Sequence, residues 1–395
     1  MATTLLALIA VILFFCVIFY VAKASEAAAA IKGDTDDYTY ASKVNGILLL
    51  VFLILGMTGV FVSAYLLIPR MINISASYHG DTLDSMFNIT TAVAFFVFFT
   101  TNIALFWFAF KYRFKKGNKA YYYPHDLRLE VVWTVVPMIV LAFLVARGVS
   151  AWNEIFDFEQ IAEVENPLIF EATGKQFSWV IRYPGVDGEL GSKKITVENV
   201  SSINELGVDY SDEKSHDDVL VAEIVLVKDR PTLVKLNALD VLHGFYLAHF
   251  RVKLDCVPGL PTQFMFTPKY TTEEYKQLLS EKDYWQKINP ETGNQKWEDF
   301  KFELACTELC GKSHFGMQKD VRVVTQEEFD AWVIEQDAKA YYKTVINPDA
   351  FAAEVVEIED VMEEIVDTTM VMDTTMLDLA EEVHEHVDGA DDHTH

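Results

Sequence analysis

Cys306-Thr307-Glu308-Leu309-Cys310-Gly311-Lys312-Ser313-His314-Phe315-Gly316-Met317 puts two thiols, an imidazole and a thioether into twelve consecutive residues. The glycine after the second cysteine lets such a run fold back on itself. Thiolate and thioether donors favour copper(I) and other soft ions, and a His/Cys set with a weak Met is the blue-copper ligand type. A single copper leaves one thiolate over, whereas two coppers sharing both sulfurs use them all. A metal whose charge changes without its ligands moving calls for a rigid support, and the sequence before the loop supplies strands.

From Pro167 onward short segments rich in β-branched and aromatic residues appear: Leu168 to Ala172, Phe177 to Ile181, Val219 to Ile224 and Thr232 to Leu236. Turn signals such as Tyr183-Pro184-Gly185 and Val257-Pro258-Gly259 separate them, the pattern of an all-β sandwich or barrel whose end loops carry ligands. Two hydrophilic stretches, Val186 to Asp218 and Lys269 to Lys301, read as surface insertions, the second with a helix over Thr272 to Lys282. Thr325-Gln326-Glu327-Glu328 is a capping box that predicts a helix through Tyr342. Beyond Lys343 there is no Lys or Arg, and the tail alternates acidic clusters with apolar residues, as in a disordered or partner-bound segment. His384, His386, His393 and His395 in that tail read as solvated side chains.

The chain has 395 residues, 51% of them hydrophobic, with a formal charge of −26. Those values are compatible because the apolar residues are concentrated in the first 150 positions and the acidic excess lies beyond. Apolar runs span Leu5 to Val21, Ile47 to Ile68, Met86 to Phe110 and Val131 to Ala146, each able with its flanks to provide the ~20 residues of a membrane helix. Lys111, Arg113, Lys115, Lys116, Lys119 and Arg128 lie between the third and fourth runs, so that loop is expected on the cytoplasmic side. Everything after Trp152 is then outside, the Lys23 to Lys43 loop inside and Met1 outside. Ala22-Lys23-Ala24 resembles a leader-cleavage site, but cleavage there would invert every later helix against the basic loop, so four retained helices are expected. Glu130 opens the fourth helix near the inner surface, where the helix dipole favours a carboxylate. Trp133 and Pro137 read as an interface aromatic and a kink. The four cysteines, Cys16, Cys256, Cys306 and Cys310, are too few for a disulfide scaffold. Cys16 reads as a small hydrophobe in a membrane helix.

Further residues join the loop to a family. Asp240-Val241-Leu242-His243-Gly244-Phe245, Lys253-Leu254-Asp255-Cys256-Val257-Pro258-Gly259, Leu129-Glu130-Val131-Val132-Trp133-Thr134-Val135-Val136-Pro137 and Gly174-Lys175-Gln176-Phe177-Ser178-Trp179 accompany a loop of form C-x-E-x-C-G-x-x-H-x-x-M. Together they resemble subunit II of the haem-copper cytochrome c oxidases of bacteria, over about Met86 to Trp332. The resemblance implies transmembrane helices followed by a cupredoxin-like β-sandwich or barrel and an acidic C-terminal tail. The expected divisions are an extra helix and cytoplasmic loop (1–43), a second extra helix with a periplasmic loop (44–85), the family's helix pair (86–152), a periplasmic copper domain (153–345) and the tail (346–395).

Carried over to this chain, the resemblance implies a dinuclear CuA centre bridged by Cys306 and Cys310. His243 and His314 would each bind one copper, and Met317 and the Glu308 carbonyl would complete the set. The Glu308 carboxylate would bind magnesium shared with subunit I, and Glu130 would stand at the entrance of a proton pathway. The implied activity is that of a proton-pumping oxidase subunit in the inner membrane. It takes electrons from cytochrome c, or from a cytochrome c domain of a supercomplex partner, and passes them to haem in subunit I. Other oxidase subunits and membrane lipid are implied partners, and no nucleic acid. No C-x-x-C-H occurs, so haem is expected only in the partner.

Phe177 stands where the family usually has Trp, so Phe177 and Trp179 are both candidates for the point where electrons enter, with Trp179 expected to face away from Phe177. Gly244 replaces a usual Ser and Ala248 a usual Pro, and Cys256 is expected to be a buried free thiol. For the loop alone, a disulfide or half of a zinc site would also serve. A membrane-anchored copper-binding or copper-delivery protein is the competing functional class, one that needs a releasable site and neither the extra ligands nor the proton-pathway helix.

Overall fold

The computed structural model describes residues 2–32, 35–71, 74–196 and 198–349, so most of the acidic tail with its four histidines lies outside the described residues. The chain folds as two compact units.

The first unit contains helices α1 (Ala2–Lys32), α2 (Thr35–Met71), α3 (Tyr78–Lys111) and α4 (Leu127–Ile155), each containing a stretch long and apolar enough to cross a membrane. The expected loop from Lys23 to Lys43 is instead helical up to Lys32 and again from Thr35. The run Ala27 to Ala30 is strongly helix-forming, and Lys23 pairs with Glu26 one turn on, at 2.8 Å. Helices α2 and α3 pack through Phe52 on Phe106 and a stacked Phe61 and Phe99. Gly46 sits close against the end of α3, where a Cβ would stand 3.1 Å from the side chains of both Arg113 and Phe110. Helix α4 starts at Asp126, whose carboxylate accepts the Arg128 and Leu129 N–H groups. It runs on through Pro137.

The second unit holds the short α5 (Phe158–Glu163) and is built on a β-sandwich with ten strands among the described residues. β1 (Leu168–Lys175), β2 (Ser178–Tyr183), β3 (Val219–Val221), β5 (Thr232–Ala238) and β8 (Thr262–Phe266) form one sheet in the order β3-β2-β1-β5-β8. β4 (Ile224–Val227), β6 (His243–Leu247), β7 (Val252–Cys256), β9 (Phe302–Cys306) and β10 (Gln318–Val324) form the other, in the order β4-β10-β9-β6-β7. The apolar run Val219 to Ile224, read above as a single strand, is where the chain leaves one sheet for the other. Ile224 to Val227 is buried throughout because β4 is a strand of the second sheet with α7 (Gln326–Asp337) over it.

Between the sheets lie Phe170, Trp179, Tyr183, Phe245 and Phe302, all at most 2% exposed. The Tyr183 hydroxyl crosses from sheet to sheet, donating to the Val225 carbonyl at 2.8 Å and accepting the Val225 N–H at 3.0 Å.

Neither hydrophilic stretch is merely superficial. The first lays Leu206, Val208 and Tyr210 against Val180. It is pinned by Arg182, which bonds Glu171 at 2.9 Å, Asp218 at 2.8 Å and the Gly191 carbonyl at 3.1 Å. The second contains α6 (Thr272–Ser280), capped by Thr271 and Glu274, with Tyr275 and Leu279 fully buried. Helix α7 has the expected Thr325/Glu328 capping box but stops at Asp337, and Tyr342–Ile346 forms a separate short turn.

Candidate metal centre

β6 and β9 lie side by side, with Phe245 opposite Cys306. That pairing brings His243, the first residue of β6, to Cys306, the last of β9, although 63 positions separate them. The loop leaving β9 turns back at Gly311, whose φ of +135° favours glycine, and a short helical turn, His314–Gly316, follows.

His243 Nδ1 is 3.8 Å from Cys306 Sγ, and the Glu308 carbonyl oxygen is 3.3 Å from the same sulfur. Cys310 Sγ lies 3.9 Å from Cys306 Sγ, 3.6 Å from His314 Nδ1 and 3.9 Å from Met317 Sδ. His243, Cys306 and Cys310 are buried and offer ligand atoms within 4.8 Å of one another. All six predicted copper donors therefore meet in one place: two sulfurs at the centre, two imidazole nitrogens, a thioether and a carbonyl. Soft and borderline donors in this number fit two copper ions better than one, and they fit a hard oxygen-loving cation poorly. Burial, with the neighbouring Cys306, pushes the Cys310 thiol up to about 11. All four cysteines are free.

Supporting contacts hold the donors. His243 is fully buried, and its Nε2 faces Asp240 Oδ1 at 2.8 Å. Burial acts to raise the Asp240 carboxyl, but hydrogen bonds from His243 and from the Gln176 and Val241 N–H groups outweigh it and hold the group below its ordinary range. Gln176 Nε2 donates to the Cys310 carbonyl at 2.5 Å. The Met317 carbonyl accepts from the Cys306 N–H at 3.2 Å and from the Trp179 indole at 3.4 Å. Gly174 lies flat against the His243 ring, and Gly311 against Phe177. Asp240 and Gln176 had no role in the sequence reading, although a carboxylate three residues before a ligand histidine is a usable signal for a partner that fixes the ring.

The other predicted residues separate clearly. Trp179 is 2% exposed and sits edge-on to His243 at 6.0 Å, while Phe177 is 37% exposed. Their different surroundings do not come from strand alternation, which would put residues two apart on the same face. Phe177 precedes β2 and belongs to the turn from β1. Cys256 is buried opposite His243 across β6 and β7, and burial raises its thiol to about 12. The Glu308 carboxylate faces Lys253 Nζ at 3.6 Å. Glu130 lies in the first turn of α4, with His125 Nδ1 at 3.9 Å.

Residues 68–148 match the family model of the cytochrome c oxidase subunit II transmembrane domain. The chain is 29% identical over 256 residues to the alternative cytochrome c oxidase subunit 2 of Bradyrhizobium diazoefficiens, covering 64% of this chain and 80% of that one. It is 24% identical over 268 residues to cytochrome c oxidase subunit 2 of Cereibacter sphaeroides, covering 66% and 77%. A solved periplasmic domain of subunit II of the Bradyrhizobium japonicum cytochrome oxidase is 26% identical and covers 45% of this chain and 98% of that one, with a TM-score of 0.28. The chain is similar to subunit II of the cytochrome c oxidases, across the helix pair that matches the family model and across much more sequence than that pair contains.

Proposed function

We propose that this chain is the electron-receiving subunit of a cytochrome c oxidase, with a dinuclear copper centre held by His243, Cys306, Glu308 through its carbonyl, Cys310, His314 and Met317. The observation that carries this reading is the convergence of those six donors around two buried sulfurs 3.9 Å apart. When bound, the copper pair would supply one-electron redox chemistry spread over two shared thiolates.

The protein's own part is to keep the donors still and dry. His243 and Met317 are fully buried, and Cys306 and Cys310 less than a tenth exposed. His243 and Cys306 are anchored on paired strands. Small changes in ligand geometry on electron transfer follow from that rigidity. Phe177, partly exposed and stacked over Gly311, is the better placed of the two aromatics to meet a donor. Buried Trp179 braces Met317 and His243. A releasable copper carrier would keep its ligands open, and the complete burial of His243 argues against one.

The wider reading follows the same line. The basic loop between α3 and α4 favours the cytoplasmic side, which puts the copper domain in the periplasm of a bacterial inner membrane and Glu130 at the cytoplasmic end of α4 as a proton-pathway entrance. Cytochrome c or a tethered cytochrome domain is the donor, and haem in subunit I the acceptor, where oxygen reduction is coupled to proton pumping. The net charge of −26 suits a basic donor steered by its field. A magnesium ion shared with subunit I through Glu308 would compete with Lys253, whose Nζ lies 3.6 Å from one oxygen of that carboxylate.

Copper stoichiometry and the electron paramagnetic resonance spectrum of the full chain in detergent test the proposal. Two coppers per chain, with hyperfine structure from two equivalent nuclei, are expected. One copper, or a single-nucleus spectrum, would sink it.

A further inference from the structure

We propose that Gln176 is a positioning residue that joins the two ligand-bearing stretches of the copper site, through its backbone to the His243 side and through its side chain to the Cys310 side. The inference rests on the copper reading above.

His243 and Cys310 both belong to the second sheet and its loop, and Gln176 comes from the other sheet, in the turn between β1 and β2. Its N–H donates to Asp240 Oδ2 at 2.7 Å, while the other oxygen of that carboxylate faces His243 Nε2 at 2.8 Å and accepts the Val241 N–H at 2.7 Å. Asp240 is therefore oriented from both sides. A carboxylate held in that way fixes the plane of the imidazole and keeps the proton on Nε2, leaving Nδ1 as the donor atom toward Cys306.

The side chain of Gln176 works on the other stretch. Its amide bonds the Cys310 carbonyl, the peptide that leads directly into Gly311, where the backbone takes its left-handed turn. Rotation of that peptide would swing Cys310 Sγ, so the amide restrains the second thiolate. Packing agrees with the hydrogen bonds. A Cβ at Gly311 would come within 3.1 Å of Gln176 Nε2 and 2.9 Å of the Phe177 ring, and one at Gly174 within 2.8 Å of the His243 ring. Gly174, Gln176 and Phe177 are thus seated on the site, touching the His243 and Cys310 stretches, while the Lys175 side chain turns away to Glu205. A glutamate at 176 has the same length but presents an acceptor to the Cys310 carbonyl, so the amide itself is required.

The test uses the full chain in detergent as wild type, Gln176→Ala, Gln176→Glu, Asp240→Asn and, as a control outside the network, Lys175→Ala. Copper affinity, the paramagnetic resonance spectrum and the reduction potential are read for each, with near-ultraviolet circular dichroism to report folding. Loss of the amide is expected to weaken copper binding about ten- to hundredfold, the scale of outer-shell partners, and to make the two coppers spectroscopically unequal. Gln176→Glu, which preserves the packing, is expected to show the same defect. Asp240→Asn is expected to move the potential, and Lys175→Ala to match wild type. A folded Gln176→Glu with wild-type affinity, spectrum and potential overturns the proposal while leaving the copper reading intact. A wild-type chain without a copper pair overturns both.

Discussion

Gly174→Ala is the sharpest test of how tightly the site is built. The added Cβ would stand 2.8 Å from His243 Cγ and Cδ2 and 3.0 Å from its Cβ, where ordinary contact begins at 3.4 Å. The shortfall is 3.4 minus 2.8, or 0.6 Å. The ring has nowhere to retreat, being fully buried, held at Nε2 by Asp240 at 2.8 Å and flanked by Trp179. The backbone cannot yield easily either, since Gly174 is paired to Trp179 on one side and Ala238 on the other. Overpacking of this kind typically costs about 1–3 kcal/mol. If the ring stays, the loss appears in the stability of the metal-free domain. If it moves, Nδ1 leaves the sulfurs and the loss appears in copper binding, about five- to 150-fold for that energy. Denaturant unfolding of the metal-free chain and copper titration together capture both routes. A variant unchanged in both measurements would refute the geometry argued for His243.

Three other outcomes are expected. Tyr183→Phe strands both the N–H and the carbonyl of Val225 between the sheets, a loss of about 1–3 kcal/mol visible as a lower denaturant midpoint at unchanged slope; an unaltered midpoint would contradict the cross-sheet role. Burial, outweighing Arg182 and the Gly191 N–H, raises the Asp218 carboxyl to about 7 from its ordinary 3.8. The unfolded chain is then ionised between those values while the fold holds the proton, so stability falls as pH rises from 3.8 to about 7 and levels off above, by at most about 1.4 kcal/mol per unit. Melting curves of wild type and Asp218→Asn across that range should diverge in slope, and parallel curves would count against it. Finally, the Cys310 thiol near 11 must give up its proton to bind metal. Copper affinity should therefore rise with pH between 6 and 8 and chelation should lower the melting temperature, and a pH-independent affinity would remove Cys310 from the ligand set.

The site was more legible than its setting. Five of its six proposed donors lie within the twelve residues Cys306 to Met317, and the sixth, His243, is reached only through the resemblance of its Asp-Val-x-His segment to a family motif, so spacing alone does not assemble the set. Linear patterns could not show what depends on pairing. Val219 to Ile224 has the composition of one strand, and only the sandwich makes Ala222 and Glu223 the point where it divides. Leu206 and Val208 sit in a polar stretch that disguised their packing on Val180. Phe177 and Trp179 were separated by a turn that no periodicity announces, and Gln176 has a local sequence that says nothing of a carbonyl 134 residues on. The α1–α2 connection was misjudged because charged residues flanking an apolar run look like a loop even where alanines continue the helix.

The division of the donors between one contiguous loop and one distant strand also sets an order of assembly. A chain not yet folded already offers Cys306, Cys310, His314 and Met317 as a single soft-metal peptide. His243 joins them only when β6 pairs with β9. On the copper reading, the ligand set would thus be partial before folding and complete only once the two strands pair.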